Sequence, residues 1–438
     1  ETMKIAMIGT GYVGLVSGAC FADLGHNVVC VDIDASKINR LRRGEIPIYE
    51  PGLDDIVARN IEAGRLSFTT STAEAATGQD AIFICVGTPP LEDGNADLSY
   101  VYAAARDIAP HLSAYTVVVN KSTVPVGTGA EVEKIIRETN PQAEFDVASN
   151  PEFLREGNAI DDFMMPDRIV IGTESSRARD IMFALYRPLM LQESQILHTG
   201  RTTSELIKYA ANAFLAMKVS FINEIADICE KVDADVQDVS RGIGLDNRIG
   251  TRFLQAGAGF GGSCFPKDTL ALTSTARKVG QPTRIVEAVM AANNERKRRM
   301  AQKVIAACGG NVAGKTIAVL GVTFKPNTDD MRDAPSLDII PLLQEGGASI
   351  RAYDPEGMET ARKYLSNVEW VKNAYDTMVQ ADALLILTEW NEFRVLDLSR
   401  VKALLKEPLM IDLRNIYTPK EVAKAGFVYH SVGRPTVG

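Results

Sequence analysis

The sequence predicts an α/β protein with two doubly wound domains joined by a central helical domain that contains a long helix. Three features carry that reading. The chain opens on a strand, a glycine turn, a helix and a second strand; the same order recurs in weaker form from residue 316; and the stretch from about 200 to 300 loses the strand pattern. At 438 residues the chain is too long for a single hydrophobic core, so two or three domains are expected.

The opening reads "KIAMIGTGYVGLVSGACFADLGHNVVCVDID". An apolar run from Ile5 to Ile8 meets Gly9, Gly11 and Gly14, a helical stretch follows, and a second apolar run from Val28 to Val31 ends at Asp32. This is the βαβ unit of a dinucleotide site, so the first domain is Rossmann-like. Gly9 permits the turn, Gly11 lets a pyrophosphate approach the backbone, and Gly14 lets helix and sheet pack closely. The helix start then offers free N–H groups and a positive dipole end to phosphates. An acid about 20 positions on takes the ribose hydroxyls. With Asp32 in that place NAD is favoured over NADP, whose 2′-phosphate would meet a carboxylate. Further strands are expected in "AIFICVGTPP", "TVVVNKSTVPVGT", "FDVASNPEFLREG" and "RIVIGT", each ending in small, polar or proline residues. Thr88, Ser122, Thr123, Glu152 and Glu156 fall beyond those strand ends, where open parallel sheets bind ligands.

In the middle, "TTSELIKYAANAFLAMKVSFINEIADICEKV" predicts one long amphipathic helix, with Thr203 or Ser204 and Glu205 near its start. Its apolar positions are numerous for one side of contact, which suggests packing on several faces, a second subunit included. From "GKTIAVLGVTFKPNTDD" the first domain's logic returns: a strand from Thr316 to Leu320, Gly321, a loop, a helix near 335–345, and "SIRAYDP" ending at Asp354. "ADALLILTEW" and "PLMIDLRN" add buried strands. The expected division is 1–200, 201–300 and 301–438. One nucleotide-type fold would hold a cofactor and the other a nucleotide-bearing substrate.

Composition narrows the partners. Hydrophobic residues make up 46% and charged residues 24%, with net charge −9, which argues against a nucleic-acid surface. No stretch is long and apolar enough for a membrane span, and the opening runs almost directly into a strand, which predicts no signal peptide. The six cysteines form no CxxC and no zinc-ligand spacing, so no metal is expected and a reducing, cytoplasmic setting is. Only Cys264 has a loop-like context.

That context is "GAGFGGSCFPKD". Glycines at 257, 259, 261 and 262 would let backbone and substrate come close to the sulfur. Lys267 would favour the thiolate, as would a helix beginning here; Asp268 follows. The alternative is an inert cysteine in a tight loop. Beside a nicotinamide, a thiol has a definite use: an aldehyde has no second hydride to donate as it stands, but its thiohemiacetal does, and the resulting thioester can be hydrolysed. Lys208 and Asn212, four apart, share one helical face; they could donate to an oxyanion, or Lys208 could simply be solvated. Glu152 and Glu156, four apart after Pro151, read as one helical turn carrying either a base or a solvated pair. The four histidines stand singly and are assigned no catalytic work.

In order, the chain carries "GTGYVG", "GTP", "KSTVPVGT", "NPEFLREG", "ELIKYAANAFLAMKVSFINE", "FGGSCFPKD", "GVTFKPNTDDMRDAP" and "YDP". It thereby resembles the UDP-glucose/GDP-mannose dehydrogenase family, and within it the UDP-glucose 6-dehydrogenases. The resemblance implies an NAD-binding domain, a dimer-forming helical middle and a UDP-binding domain. It also implies oxidation of UDP-glucose to UDP-glucuronate in two steps, using two NAD and one water. It makes Cys264 the nucleophile, Lys208 and Asn212 the oxyanion donors, Asp268 and Thr123 the residues that position water or relay a proton, and Glu152 a base for thioester hydrolysis. Cofactor contacts are implied at Gly9, Gly11, Tyr12, Val13, Gly14, Asp32, Lys37, Thr88, Pro89, Ser122, Thr123, Glu156, Lys267 and Arg332. Sugar-nucleotide contacts are implied at Glu152, Phe153, Leu154, Arg155, Lys208, Asn212, Phe253, Leu254, Gln255, Gly257, Gly261, Phe324, Lys325 and Arg414, with Arg248 reaching across a homodimer. Gln255 stands where some members carry lysine. The competing readings are the same chemistry on GDP-mannose or UDP-N-acetylmannosamine, a two-electron hydroxyacid dehydrogenase with no need of Cys264, and a catalytically silent NAD-binding regulator.

Overall fold

The structure, a computed structural model, describes residues 1–190 and 195–438. The chain forms two compact units, Glu1–Ala211 with Ser274–Gly280, and Asn212–Thr273 with Gln281–Gly438.

The first unit is built on eight strands: β1 (Lys4–Ile8), β2 (Asn27–Val31), β3 (Leu66–Thr69), β4 (Ala81–Ile84), β5 (Thr116–Asn120), β6 (Phe145–Ser149), β7 (Arg168–Gly172) and β8 (Gln195–Thr199). Their order in the sheet is β3-β2-β1-β4-β5-β6-β7-β8. The first six follow the doubly wound dinucleotide order, with the reversal between β1 and β4. β1 shows why such a run is apolar throughout. Successive residues point to opposite faces, so Ile5 and Met7 enter one buried cluster while Ala6 and Ile8 enter another. Helices cover both faces, and no position is left for a polar side chain. β7 meets β6 antiparallel through a single bridge, Ser149 with Gly172, and β8 runs parallel to β7. The sequence gives no sign of that reversal, because a central strand is apolar whichever way it runs.

The second unit repeats the pattern with β9 (Thr316–Leu320), β10 (Ser349–Tyr353), β11 (Val368–Trp370), β12 (Ala383–Ile386), β13 (Leu409–Asp412) and β14 (Val428–His430), ordered β11-β10-β9-β12-β13-β14 and parallel throughout. Ile317 and Val319 face one cluster, Ala318 and Leu320 the other. The repeat extends to the first turn: Gly9 N–H donates to Val31 O, and Gly321 N–H to Tyr353 O, both at 2.9 Å.

The expected long helix is Arg201–Val232, 32 residues, or about 48 Å at 1.5 Å per residue. The polar residues near its start find partners elsewhere in the chain. The Glu205 carboxylate accepts the Gly127 and Gly129 N–H groups at 3.0 and 2.8 Å, so it caps the helix Thr128–Thr139 instead of its own. Ser204 donates to Ser149 Oγ at 2.9 Å. Both side chains are buried, so the tertiary partner prevails over the local one. A second long helix, Arg284–Ala307, follows the helix Phe265–Lys278.

Candidate active site

At the first turn, each glycine answers to a different constraint. Gly9 has φ +105°, and an added Cβ would lie 2.9 Å from Cys85 O; at Gly14 it would lie 2.1 Å from Gly9 O. Gly11 is different, since an added Cβ would meet nothing within 4 Å. Packing therefore explains Gly9 and Gly14, while Gly11 borders open space. It also precedes the helix Tyr12–Asp23, whose start has no side-chain cap. The first-turn N–H groups are thus offered to an anion, which fits a dinucleotide pyrophosphate.

Asp32 accepts Thr10 N–H at 3.1 Å, Thr10 Oγ1–H at 2.7 Å and Asp34 N–H at 3.0 Å, with Lys37 Nζ at 3.7 Å. Burial pushes its carboxyl up, but those hydrogen bonds and the lysine together hold it below the usual carboxylate range. Next to it Ile33 is 93% exposed, an apolar surface the sequence reading passed over. Tyr12, Val13 and Lys37 are half-buried and Pro89 is exposed. Thr88 and Ser122 are buried and tie the loops after β4 and β5 together: Thr88 Oγ1 donates to Thr123 O at 3.0 Å and Ser122 Oγ to Val86 O at 2.7 Å.

Beyond β6, residues 151–155 are irregular, not the helical turn expected for Glu152 and Glu156. The next helix starts only at Ala159, after Gly157 at φ +90°. Glu50, buried and unremarked in the sequence reading, holds the segment by accepting Gly157 N–H at 2.9 and 2.8 Å on its two oxygens. Glu152 is buried and accepts Leu154 N–H at 2.6 Å. Lys208 is buried with it, its Nζ 2.5 Å from Glu152 O, 3.5 Å from Glu152 Oε1 and 5.2 Å from the Phe153 ring centroid. The stretch thus forms a carboxylate–ammonium pair shielded from water. Phe153 has the Arg168 guanidinium on its ring at 3.5 Å. Leu154 is buried and Glu156 half-buried. Arg155 is engaged by Asp162 at 2.7 and 3.0 Å.

In the second unit, the helix Phe265–Lys278 starts directly after Cys264. Cys264 O accepts Asp268 N–H at 2.7 Å, closing the first turn, and Pro266 fits there because first-turn N–H groups need no helical partner. The half-buried thiol therefore lies at the positive end of a 14-residue helix, where the thiolate is favoured. Asp268 is fully buried, accepts Asn212 Nδ2–H at 2.7 Å and has Lys267 Nζ at 3.8 Å. Asn212 sits one helical turn after Lys208 on the same continuous helix.

The glycines before Cys264 have a different cause from the one expected. An added Cβ at Gly257 would lie 3.3 Å from Leu413 O, at Gly259 2.9 Å from Asn293 Oδ1, at Gly261 2.3 Å from Asp333 O, and at Gly262 2.7 Å from the Phe324 ring. The bulk is stripped so that the loop can pass against the protein's own backbone and rings. Asn293 clamps it from both sides, accepting Phe260 N–H at 2.8 Å and donating to Phe260 O at 3.0 Å. Arg296 Nε donates to Gly257 O at 2.6 Å, and Asn223 Oδ1 accepts Gly257 N–H at 2.9 Å.

Around this loop, Phe253 has φ +63° and its ring lies 5.9 Å from that of Phe265. Leu254 is buried and Gln255 exposed. Lys325 Nζ lies 5.4 Å from the Phe324 ring centroid. Arg414 donates to Leu387 O at 2.7 Å and Phe324 O at 3.2 Å. Arg332 is held by Asp330 at 2.7 Å, and Arg248, with its side chain 88% exposed, by Asp246 at 2.6 Å. Asp354, the second unit's counterpart of Asp32, is fully buried. It accepts Val322 N–H at 2.8 Å, Gly357 N–H at 2.8 Å, Glu356 N–H at 3.0 Å, Thr323 N–H and Oγ1–H both at 3.2 Å, and Trp390 Nε1–H at 3.3 Å. The chain's own donors consume this carboxylate, so it has no capacity left for a ribose. Among the described residues, the dinucleotide turn built to the full pattern is that of the first unit.

A dinucleotide fold with a helix-terminal thiol defines a cofactor-dependent dehydrogenase, and the comparisons narrow that class. The UDP-glucose/GDP-mannose dehydrogenase family is matched in all its parts: its NAD binding domain over residues 3–190, its central domain over 202–295 and its UDP binding domain over 318–419. The chain belongs to this family. It is 63% identical over 436 residues to the UDP-glucose 6-dehydrogenase of Rhizobium meliloti (strain 1021), covering 99% of this chain and 100% of that one. Among solved structures it is similar to a UDP-glucose dehydrogenase from Pyrobaculum islandicum, with TM-score 0.91, 40% identity, and coverage of 99% and 98%. It is also similar to a UDP-D-ManNAc dehydrogenase from Pyrococcus horikoshii, with TM-score 0.86, 26% identity, and 99% of each chain covered.

Proposed function

We propose that this chain carries out the NAD-dependent four-electron oxidation of UDP-glucose to UDP-glucuronate through a cysteine thiohemiacetal and thioester. The observation that carries the reading is Cys264 at the start of its helix, one turn before a fully buried Asp268 bonded to Asn212. Full-length identity of 63% to a UDP-glucose 6-dehydrogenase supports the substrate. The more distant likeness to a UDP-D-ManNAc dehydrogenase, at 26%, makes other sugar nucleotides the lesser reading.

Gly11, the uncapped helix start and Asp32 would hold NAD, which when bound would supply a hydride acceptor for each of the two oxidation stages. The remaining chemistry belongs to side chains. Lys208 and Asn212 donate to the alkoxide that forms as the sugar's C6 hydroxyl gives its proton to a water positioned by Asp268 and Thr123, and loss of a C6 hydrogen as hydride turns that alkoxide into the aldehyde. Cys264 thiolate adds to the aldehyde carbon, forming the S–C bond and an oxyanion that the same donors stabilise. Loss of the C–H as hydride leaves a thioester. Asp268 and Thr123 position a water, Glu152 takes its proton as the oxygen attacks, and the C–S bond breaks to return the thiolate and release the carboxylate. Phe253 to Gly257, Phe324, Lys325 and Arg414 are assigned to the sugar nucleotide, a diphosphate being well suited to an arginine fork. Assays with NAD and matched concentrations of UDP-glucose, GDP-mannose and UDP-N-acetylmannosamine test the substrate; UDP-glucose is expected to give the highest kcat/KM, and a higher value with either of the others would overturn it.

The division into 1–200, 201–300 and 301–438 follows this assignment, with the middle stretch forming a homodimer in the cytoplasm. Phe214, Phe221 and Ile228 recur every seventh residue on the long helix and are 59%, 49% and 56% exposed. A heptad-spaced apolar stripe on a helix suits a second helix against it. Six free cysteines suit a reducing compartment, and among the described residues no helix is long and apolar enough to cross a membrane. Replacing both Phe214 and Phe221 with Asp is expected to convert a dimer to a monomer by light scattering; a wild-type monomer, or a dimer that survives the substitutions, contradicts this interface.

A further inference from the structure

One buried cation has no part in the chemistry above. Lys121 follows β5 and is 3% exposed. Its Nζ donates to Asn150 Oδ1 at 3.0 Å and to Tyr186 OH at 3.2 Å. Tyr186 OH itself donates to the same Asn150 oxygen at 2.5 Å. Asn150 is further fixed through Nδ2 to Val170 O at 2.9 Å and through its own N–H to Asn120 O at 3.0 Å. Two residues on comes Glu152, whose carbonyl and carboxylate both hold Lys208.

We infer that Lys121 is a positioning residue for the Glu152–Lys208 pair, fixing through Asn150 the segment that presents Glu152 and placing a second positive charge behind it. A neutral side chain could satisfy Asn150 and Tyr186, yet the chain buries an ammonium whose two acceptors are uncharged, and burying such a charge is costly. Among the described residues no carboxylate lies within ion-pair distance of it. The ionisable groups around it are Cys85, Tyr186, Glu152 and Lys208. Burial lowers the Lys121 ammonium to about 8, against the pull of Cys85 and Glu152, so it is charged at neutral pH and loses that charge as pH rises through that value.

The inference rests on the catalytic reading of Glu152 and Lys208, and the test separates the two. With the full-length protein, UDP-glucose and NAD, Lys121→Met, Glu152→Gln and the double variant are compared across pH. Lys121→Met is expected to lower kcat about 10- to 100-fold, with both KM values within about threefold. The alkaline limb of its kcat–pH profile moves to higher pH, because the Lys121 charge that the parent loses near pH 8 is no longer there to lose. In the Glu152→Gln background the same change adds little, as expected for coupled residues. A wild-type kcat and limb in Lys121→Met would overturn the inference; so would a lowered kcat with an unmoved limb and full additivity, the mark of a purely structural pin. If Glu152→Gln turned over normally, the catalytic reading of the pair would fail and the inference with it. Should Lys121→Met not fold, Tyr186→Phe replaces it: a move of the limb to lower pH is expected, because the ammonium has lost an acceptor, and a wild-type profile overturns the inference.

Discussion

Cys264→Ser will turn over UDP-glucose on the order of 10³-fold more slowly than the parent, or worse, and the product it accumulates will be the aldehyde. The helix start at Phe265 leaves its first-turn N–H groups beside residue 264. Those groups favour a thiolate, whereas a serine hydroxyl remains protonated at neutral pH and is a weak nucleophile without an adjacent base. The substitution removes one sulfur and little volume, so the fold and the dinucleotide turn should be unaffected. Quenching the reaction with a carbonyl-trapping amine and identifying the adduct by mass spectrometry distinguishes the outcomes. Trapped aldehyde from the variant, with carboxylate from the parent, is the expected pattern. Carboxylate formed by the variant at the parental rate would remove Cys264 from the mechanism.

Lys208→Met is the second large effect. Its ammonium is buried against Glu152 O at 2.5 Å and Glu152 Oε1 at 3.5 Å, with the Phe153 ring beside it. A donor held this firmly in a water-poor site needs no reorganisation when an oxyanion forms, and losing one such donor typically costs about 10²–10³ in kcat. Methionine keeps the length and apolar stem but cannot donate. The expected signature is a fall of that size in kcat with a much smaller change in the KM for UDP-glucose, since the interaction strengthens with the developing charge. Steady-state kinetics at fixed pH reads this directly. A KM effect with kcat retained would make Lys208 a ground-state binding residue.

What was legible in the sequence was what local pattern encodes. The apolar runs of β1, β4, β5 and β9 are visible because strands buried on both faces are apolar along most of their length. Gly9, Gly11 and Gly14 were legible because their spacing is a property of one turn, and the long helix because its period runs unbroken. Cys264 stood out by context, and its helix was expected only conditionally. What escaped depends on partners distant in sequence. Glu205 caps a helix 76 to 78 residues away; Glu50 pins a loop 107 residues away. Lys121 sat in plain view in "KSTVPVGT", but its burial comes from Tyr186 and Asn150, which no local pattern connects to it. The density of glycines at 257–262 was legible, but their crowding neighbours, Asn293, Phe324 and Asp333, come from later parts of the chain. Asp354 ends its strand as Asp32 does, and the six donors that occupy it come from segments no local pattern connects.

On the proposed mechanism one chain oxidises an alcohol through the aldehyde to the acid, with the thiol as the covalent bridge. The most direct test is the yield of NADH from limiting UDP-glucose with NAD in excess, followed by absorbance to completion. Two NADH are expected for each UDP-glucose consumed. One NADH for each would contradict that mechanism, reduce the protein to a two-electron alcohol dehydrogenase and leave Cys264 without a function.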